Sequence, residues 1–237
     1  SNILLFPFFM LNFIFVIIKS YFILKKNKID ILISTGGYMS LPLNIASSIY
    51  RTKLLLFEPN LVIGRSNKYC LRFAKNIICY SNKIKNFPEN QKNKIFIISS
   101  LLRKKFYDIK NFTKKIDNEI FVAILGGSQG AKFFDDLTLK FAVSLSKIKK
   151  IKILQQIYNK SEQAKFEKIY EQNNIQYEIF SYDTNIINKL SKVDIAFTRC
   201  GASTLSELVQ LKIPFVGIPY PFAKDNHQYF NVKYYEN

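Results

Sequence analysis

Tryptophan is absent from the 237-residue chain, histidine occurs once, at His227, and cysteine three times, at Cys70, Cys79 and Cys200, never as a CxxC pair. So few cysteines exclude a disulfide framework and a cysteine-rich zinc site. One histidine excludes a multi-histidine metal centre and leaves room for a single histidine-based triad. Acidic residues are also scarce: 17 Asp and Glu stand against 35 Lys and Arg, a net charge of +18. Such a surplus favours anionic partners, whether phosphorylated substrates, acidic membrane surfaces or nucleic acid. Lys, Asn, Ile, Phe and Tyr are abundant together, however, a bias that puts lysines on every solvated face without any partner. The lysines are scattered and no nucleic-acid recognition motif accompanies them, so nucleic acid is not expected as a partner. No repeat of 20–50 residues is visible either, which excludes a solenoid.

With 48% hydrophobic and 22% charged residues, the chain is neither disordered nor fibrous. Its length suits one large domain or two modest ones. It begins at Ser1 without Met and stops at Asn237 inside an apparent helix, as a piece of a longer protein would. Residues 3–24 are almost all apolar, broken by Pro7, Asn12, Lys19 and Ser20. They lack the basic n-region and small-residue cleavage site of a signal peptide. Length alone permits a membrane span. The run leads straight into a strand at 29–34, which favours a core helix packed on a sheet over an interfacial helix or a true span.

Beyond this point strand-like and helix-like segments alternate. Strands are expected at 29–34, 53–57, 76–79 and 94–98, with helices at 41–50 and 66–75. A second series has strands at 119–125, 151–155, 175–180, 193–197 and 214–218, with helices at 128–145, 161–172, 184–190, 203–211 and 225–235. This rhythm predicts an α/β protein of two doubly wound, Rossmann-like domains, 1–103 and 119–237, joined by a polar, lysine-rich linker over 104–118. Ligands of such folds bind at the carboxyl ends of the strands, here in a cleft between the domains.

The chemistry-bearing segments fall at those strand ends. GGSQGA at 126–131 is neither a Walker loop nor GxGxxG; it is either a glycine turn with Ser128 as helix N-cap or an anion cradle. RCGASTLSE at 199–207 places Ser203 and Thr204 at a helix start and Glu207 one turn inside. Ser203 with Ser206, or Thr204 with Glu207, fits a capping box; the same carboxylate also suits a ribose or sugar diol. In PYPFAKDNHQ at 219–228, Asp225 can cap a helix, or Asn226, His227 and Gln228 can meet a polar ligand. STGGYMSLP at 34–42 is a further glycine turn, and Glu58 ends an apolar strand before Pro59 and Asn60.

Taken in order, TGGYMSLP, FEPNLVIGRSNK, GGSQGA, RCGASTLSE and PFAKDNHQY resemble the bacterial MurG family, the UDP-N-acetylglucosamine–lipid I N-acetylglucosaminyltransferases of peptidoglycan synthesis. The resemblance implies a GT-B fold and an inverting, metal-independent glycosyl transfer without cofactor. The donor would be UDP-N-acetylglucosamine and the acceptor the muramoyl 4-hydroxyl of lipid I. The protein would be peripheral on the cytoplasmic side of the inner membrane, with the N-terminal helix and its lysines resting on anionic lipid. It further implies that Ser128 and the amides around Gly127 and Gln129 face the donor diphosphate. Ala202, Ser203, Thr204, Leu205, Ser206 and Glu207 would hold the nucleotide, with Glu207 on the ribose. Gln228, with His227, would contact the N-acetylglucosamine, and Asn60 the donor. Arg103 would lie near the uracil or the interdomain crossing, and Asp183 where the family uses a backbone amide on the uracil. Tyr38 and Glu58 would line the acceptor side as candidate catalytic residues.

The chain departs from the family pattern in several places. The family's GGTGGH loop, with the histidine proposed as acceptor base, is absent, as are its C-terminal helices. Its His-Glu-Gln-Asn segment reads Phe57, Glu58, Pro59, Asn60 here, and its GNP before the arginine has become 99–102. These 237 residues alone are therefore expected to bind the donor weakly and turn over little. Competing expectations are another GT-B transferase that glycosylates a lipid, and a non-catalytic basic module or remnant.

Overall fold

The computed structural model describes residues 6–107, 118–126 and 131–236, and the chain divides into two compact units, Ser1–Ser100 and Leu101–Asn237.

The first unit carries α1 (Phe6–Lys26), β1 (Ile31–Ser34), α2 (Leu41–Tyr50), β2 (Lys53–Glu58), α3 (Arg65–Cys70), β3 (Asn76–Cys79) and β4 (Ile95–Ile97). Its four strands pair in parallel in the order β1-β2-β3-β4. β2 alternates strictly, so Leu54, Leu56 and Glu58 share the buried face. Leu54 and Leu56 pack with Ile63, Cys70, Leu71 and Ile77. The helix expected over 66–75 stops at Cys70: the Phe73 and Ala74 N–H groups both turn back onto the Cys70 carbonyl (2.9 and 3.0 Å), and the Lys75 N–H bonds the Leu54 carbonyl (2.8 Å) just before β3.

α1 corrects the expectation of a core helix. It packs along α2 through one edge, with Leu24 and Ser20 buried and the Tyr21 ring edge-on to Tyr50 at 5.9 Å. Phe8, Leu11, Phe15 and Phe22 stay at least 60% exposed. With only Pro7, Asn12, Lys19 and Ser20 breaking it, the apolar run has no continuous polar face to tell which side will be covered, so its sequence could not show this. By length and composition α1 is also sufficient to cross a membrane.

The second unit carries β5 (Ile120–Leu125), α4 (Ala131–Ser146), β6 (Ile151–Gln156), α5 (Gln163–Gln172), β7 (Gln176–Phe180), α6 (Ile186–Leu190), β8 (Ile195–Thr198), α7 (Ala202–Gln210), β9 (Phe215–Gly217) and α8 (His227–Lys233). The strands are all parallel, in the order β7-β6-β5-β8-β9. Central β5 is buried on both faces. Ala123 and Leu125 join a core with Leu154, Ile187, Leu190 and Leu208, whereas Val122 and Ile124 join one with Phe134, Ile153, Phe166 and Phe197. Alternation on a two-faced strand explains why it reads as a continuous apolar run.

The start of the expected 104–118 linker belongs to this second unit. A 3-10 turn over Lys104–Phe106 drives Phe106 into the core beside Ile186, Ile187 and Leu208. One aromatic among lysines has no periodicity to betray it. Residues 108–117 lie outside the described residues.

Chain direction across this sheet reverses at β5. The chain moves from β5 to β6 to β7 on one side, then returns to β8 and β9 on the other. The topological switch point therefore lies between β5 and β8, where open parallel sheets bind ligands. GGSQGA follows β5 and RCGASTLSE follows β8.

Candidate donor and acceptor-side sites

In the second unit, buried Arg199 at the end of β8 ties the strand ends together. Its NH1 donates to the carbonyls of Ile218 (3.2 Å) and Pro219 (3.3 Å), and its guanidinium lies 4.8 Å from the Phe134 ring and 5.6 Å from Tyr220. Asp135, on α4, is buried nearby; desolvation pushes its carboxyl up to about 6 against the opposing pull of Arg199. A Cβ at Gly126 would stand 3.2 Å from the Phe134 ring, a tight approach that glycine avoids. Gly127, Ser128 and Gln129 lie outside the described residues.

α7 starts at Gly201, an extended N-cap, and no side chain caps it. The capping-box alternative is thereby set aside. Glu207 bonds Arg103 instead, with Nε to Oε1 at 2.9 Å and NH2 to Oε2 at 3.1 Å. Ser203 is exposed, Thr204 and Glu207 are half-buried, and Leu205 and Ser206 point inward. The α7 N-terminus thus presents uncapped backbone N–H groups, a hydroxyl and a carboxylate on one accessible face.

α8 buttresses this turn. The Gln228 side-chain oxygen accepts from the Tyr220 N–H (2.9 Å) and the Cys200 N–H (3.4 Å), and Asn231 donates to the Cys200 carbonyl (3.1 Å). The oxygen of Gln228 is therefore committed to backbone. His227 Nδ1 stands 2.8 Å from the Lys224 carbonyl, which can only accept; Nδ1 carries the hydrogen and Nε2 is the acceptor of the neutral ring. The N-cap position of α8 is Asn226, without a side-chain cap bond, rather than Asp225. Asp225 and Asn226 instead take left-handed backbone, φ 55° and 53°, which turns the chain into the helix. Burial pushes the Cys200 thiol up to about 12, making it an inert packing group.

Asp183 does not project into open space. Its carboxylate accepts from the Asn185 N–H (2.7 Å) and pairs with Lys189, which holds it below its ordinary value. Next to it a cavity of about 250 Å³ is lined by Arg103, Lys104, Phe106, Tyr182, Thr184 and Ile186.

In the first unit, Glu58 occupies the inward phase of β2 and is 3% exposed. Four donors converge on it: Asn60 N (3.2 Å) and Nδ2 (3.0 Å) on Oε1, and Gly64 N (2.8 Å) and Asn67 Nδ2 (3.0 Å) on Oε2. A buried carboxylate requires such pairing. Asn67 in turn lies against Gly36, where a Cβ would approach its Oδ1 to 2.9 Å at φ 81°. Ser40 meets Ser66 at 3.3 Å, and Asn44 donates to Ser34 and Ser40. One polar network thus joins the turns after β1 and β2. Tyr38 is 72% exposed, with its ring 6.5 Å from Phe13. The structure therefore does not pair the two acceptor-side candidates: Glu58 organises its own loop and holds Asn60, while Tyr38 faces solvent. Asn67, Asn44 and Arg199 were not singled out as site residues in the sequence. A polar residue between Leu43 and Ile45 is the signal at Asn44, whereas Asn67 and Arg199 sit inside the FEPNLVIGRSNK and RCGASTLSE segments. Among the described residues no cluster of three His, Cys, Asp or Glu could hold a metal.

Comparison with known proteins assigns this architecture. Residues 4–79 match the glycosyltransferase family 28 N-terminal domain and residues 121–237 its C-terminal domain. The transferase named UDP-N-acetylglucosamine--N-acetylmuramyl-(pentapeptide) pyrophosphoryl-undecaprenol N-acetylglucosamine transferase from Pelagibacter ubique is 50% identical over 99% of the chain and 65% of its own length. The protein of that name from Rickettsia bellii is 33% identical over 100% of the chain and 67% of its own length. The chain belongs to the MurG family. It spans about two thirds of the length of these relatives. The crystal structure of Acinetobacter baumannii MurG shares the fold at a TM-score of 0.73 and 23% identity, covering 92% of this chain and 61% of that one. The two Rossmann-like units therefore have the GT-B fold.

Proposed function

We propose that the protein is a hexosyltransferase that moves N-acetylglucosamine from UDP-N-acetylglucosamine to the muramoyl 4-hydroxyl of lipid I, with inversion and without a metal ion or cofactor. The observation that carries this is the β5/β8 switch point, whose two strands lead in sequence into GGSQGA and RCGASTLSE, in a member of the MurG family. Loss of UDP develops charge on two phosphates. Uncapped N–H groups at the start of α7 and the Ser203 and Thr204 hydroxyls supply oriented dipoles for it. Glu207 accepts from the ribose hydroxyls, and the NH2 end of Gln228 donates to the sugar. The Gly36–Gly37 turn and the Glu58 loop, with Tyr38, make the acceptor side. The reaction also needs a base on the acceptor hydroxyl; Glu58, ringed by donors, is not placed to serve as one.

The exposed apolar face of α1, with Lys19, Lys25 and Lys26 on the same helix, supports seating on an anionic membrane surface from the cytoplasmic side. The deciding experiment is calorimetric titration with UDP-N-acetylglucosamine and UDP-glucose. Saturable binding that prefers the N-acetyl sugar and is lost in Glu207→Ala is expected. Absence of binding by the folded protein would refute the donor-site assignment.

A further inference from the structure

Arg103 and Glu207 lie 104 positions apart in sequence, yet their side chains make the best-formed ion pair at the candidate donor site. Arg103 uses the side of its guanidinium, Nε and NH2 together, so each carboxylate oxygen receives one hydrogen bond. A carboxylate has about four acceptor positions, two on each oxygen. The fork takes one on each and leaves one on each. That is the complement of a vicinal diol, which offers two hydroxyl donors a few ångströms apart.

The arginine is itself held in place. Its carbonyl accepts from the Phe106 N–H (2.8 Å), its guanidinium lies 5.0 Å from the Phe106 ring, and that ring is anchored in the core. The neighbouring Leu102 N–H donates to the Tyr107 hydroxyl at 2.9 Å. A short turn pinned by one buried aromatic thus presents Arg103 to α7. Without that fork the Glu207 side chain would sample several rotamers, and ordering it on each binding event would cost affinity.

We infer that Arg103 is a positioning residue for Glu207, fixing the carboxylate so that its remaining lone pairs take the ribose diol of a nucleoside diphosphate. This rests on the donor-site reading above. The role differs from direct contact with base or phosphate, and the two separate by experiment. UDP and 2′,3′-dideoxyuridine diphosphate are titrated into the unaltered chain and into Arg103→Ala, Arg103→Lys, Glu207→Ala and the double variant, with thermal melts confirming that each is folded. Arg103→Ala should weaken UDP roughly tenfold, the scale of coupling between charged neighbours, and leave the dideoxy analogue within about twofold. It should add nothing to Glu207→Ala. Lysine at 103 should recover only part of the loss, since a point charge cannot reproduce the fork. Equal weakening of both nucleotides, additivity with Glu207→Ala, or no change at all would overturn the role. Failure of the unaltered, folded chain to bind UDP would overturn the donor-site reading and this role with it. Binding of UDP that is no tighter than the dideoxy analogue would overturn the diol contact and this role with it, while nucleotide binding itself would stand.

Discussion

Replacing Glu58 by Gln changes one oxygen to an NH2 group and nothing else in shape, yet it should unmake the loop that follows β2. Two donors reach each oxygen: both nitrogens of Asn60 on Oε1, and Gly64 N and Asn67 Nδ2 on Oε2. Whichever way the amide turns, one pair of donors meets another donor. Hydrogen bonds to a charged group contribute about 1.5–3 kcal/mol each, so losing two costs about 3 kcal/mol or more, and the surviving pair loses its charge assistance. That is a large part of the 5–15 kcal/mol typical of a domain. Since the two units need not unfold together, the informative assay is local. Amide hydrogen exchange at Gly64 and Asn60 should accelerate at least a hundredfold in Glu58→Gln, while amides of the second unit stay unchanged. Denaturant unfolding of the first unit should shift in parallel. Exchange within threefold of the unaltered protein, with stability changed by less than about 0.5 kcal/mol, would refute the view that Glu58 is the hub of this loop.

Two further outcomes follow from charges and surfaces. Burial raises the Asp135 carboxyl from its ordinary 3.8 to about 6, so the folded state holds this proton more tightly than the unfolded one. Its contribution is then fully present below about pH 4 and is lost as pH rises through 6, a swing of about 3 kcal/mol by linkage. Asp135→Asn should flatten the stability profile between pH 4 and 7.5; an unchanged slope in urea unfolding would contradict this. For α1, recruitment to vesicles containing anionic lipid should exceed that to neutral vesicles several-fold and fall with salt. Equal recruitment by both would remove the electrostatic part of the membrane proposal.

The amino-acid sequence by itself determined the local elements and their order, because each answers to a short-range rule. β2 alternates, β5 is apolar throughout, and glycine turns stand where strands give way to helices. It also determined the family, since the motif order spans both units. Other features depended on what lies opposite a residue, which no local pattern encodes. The apolar run of α1 was legible as a helix, but only packing showed that α2 covers one edge and leaves Phe8, Leu11 and Phe15 exposed. Phe106 looked like part of a linker until the fold buried it among Ile186, Ile187 and Leu208. Glu58 read as a charge at a strand end, and strand phase then turned it inward, where burial demanded four donors. Above all, β8 returns to pair with β5 rather than β7. That one non-local pairing creates the switch point, brings Arg199 against Phe134 and sets the ends of β5 and β8 side by side, while the Phe106 turn delivers Arg103 to Glu207. Strand order is a property of long-range pairing, so these contacts exist only in the tertiary structure.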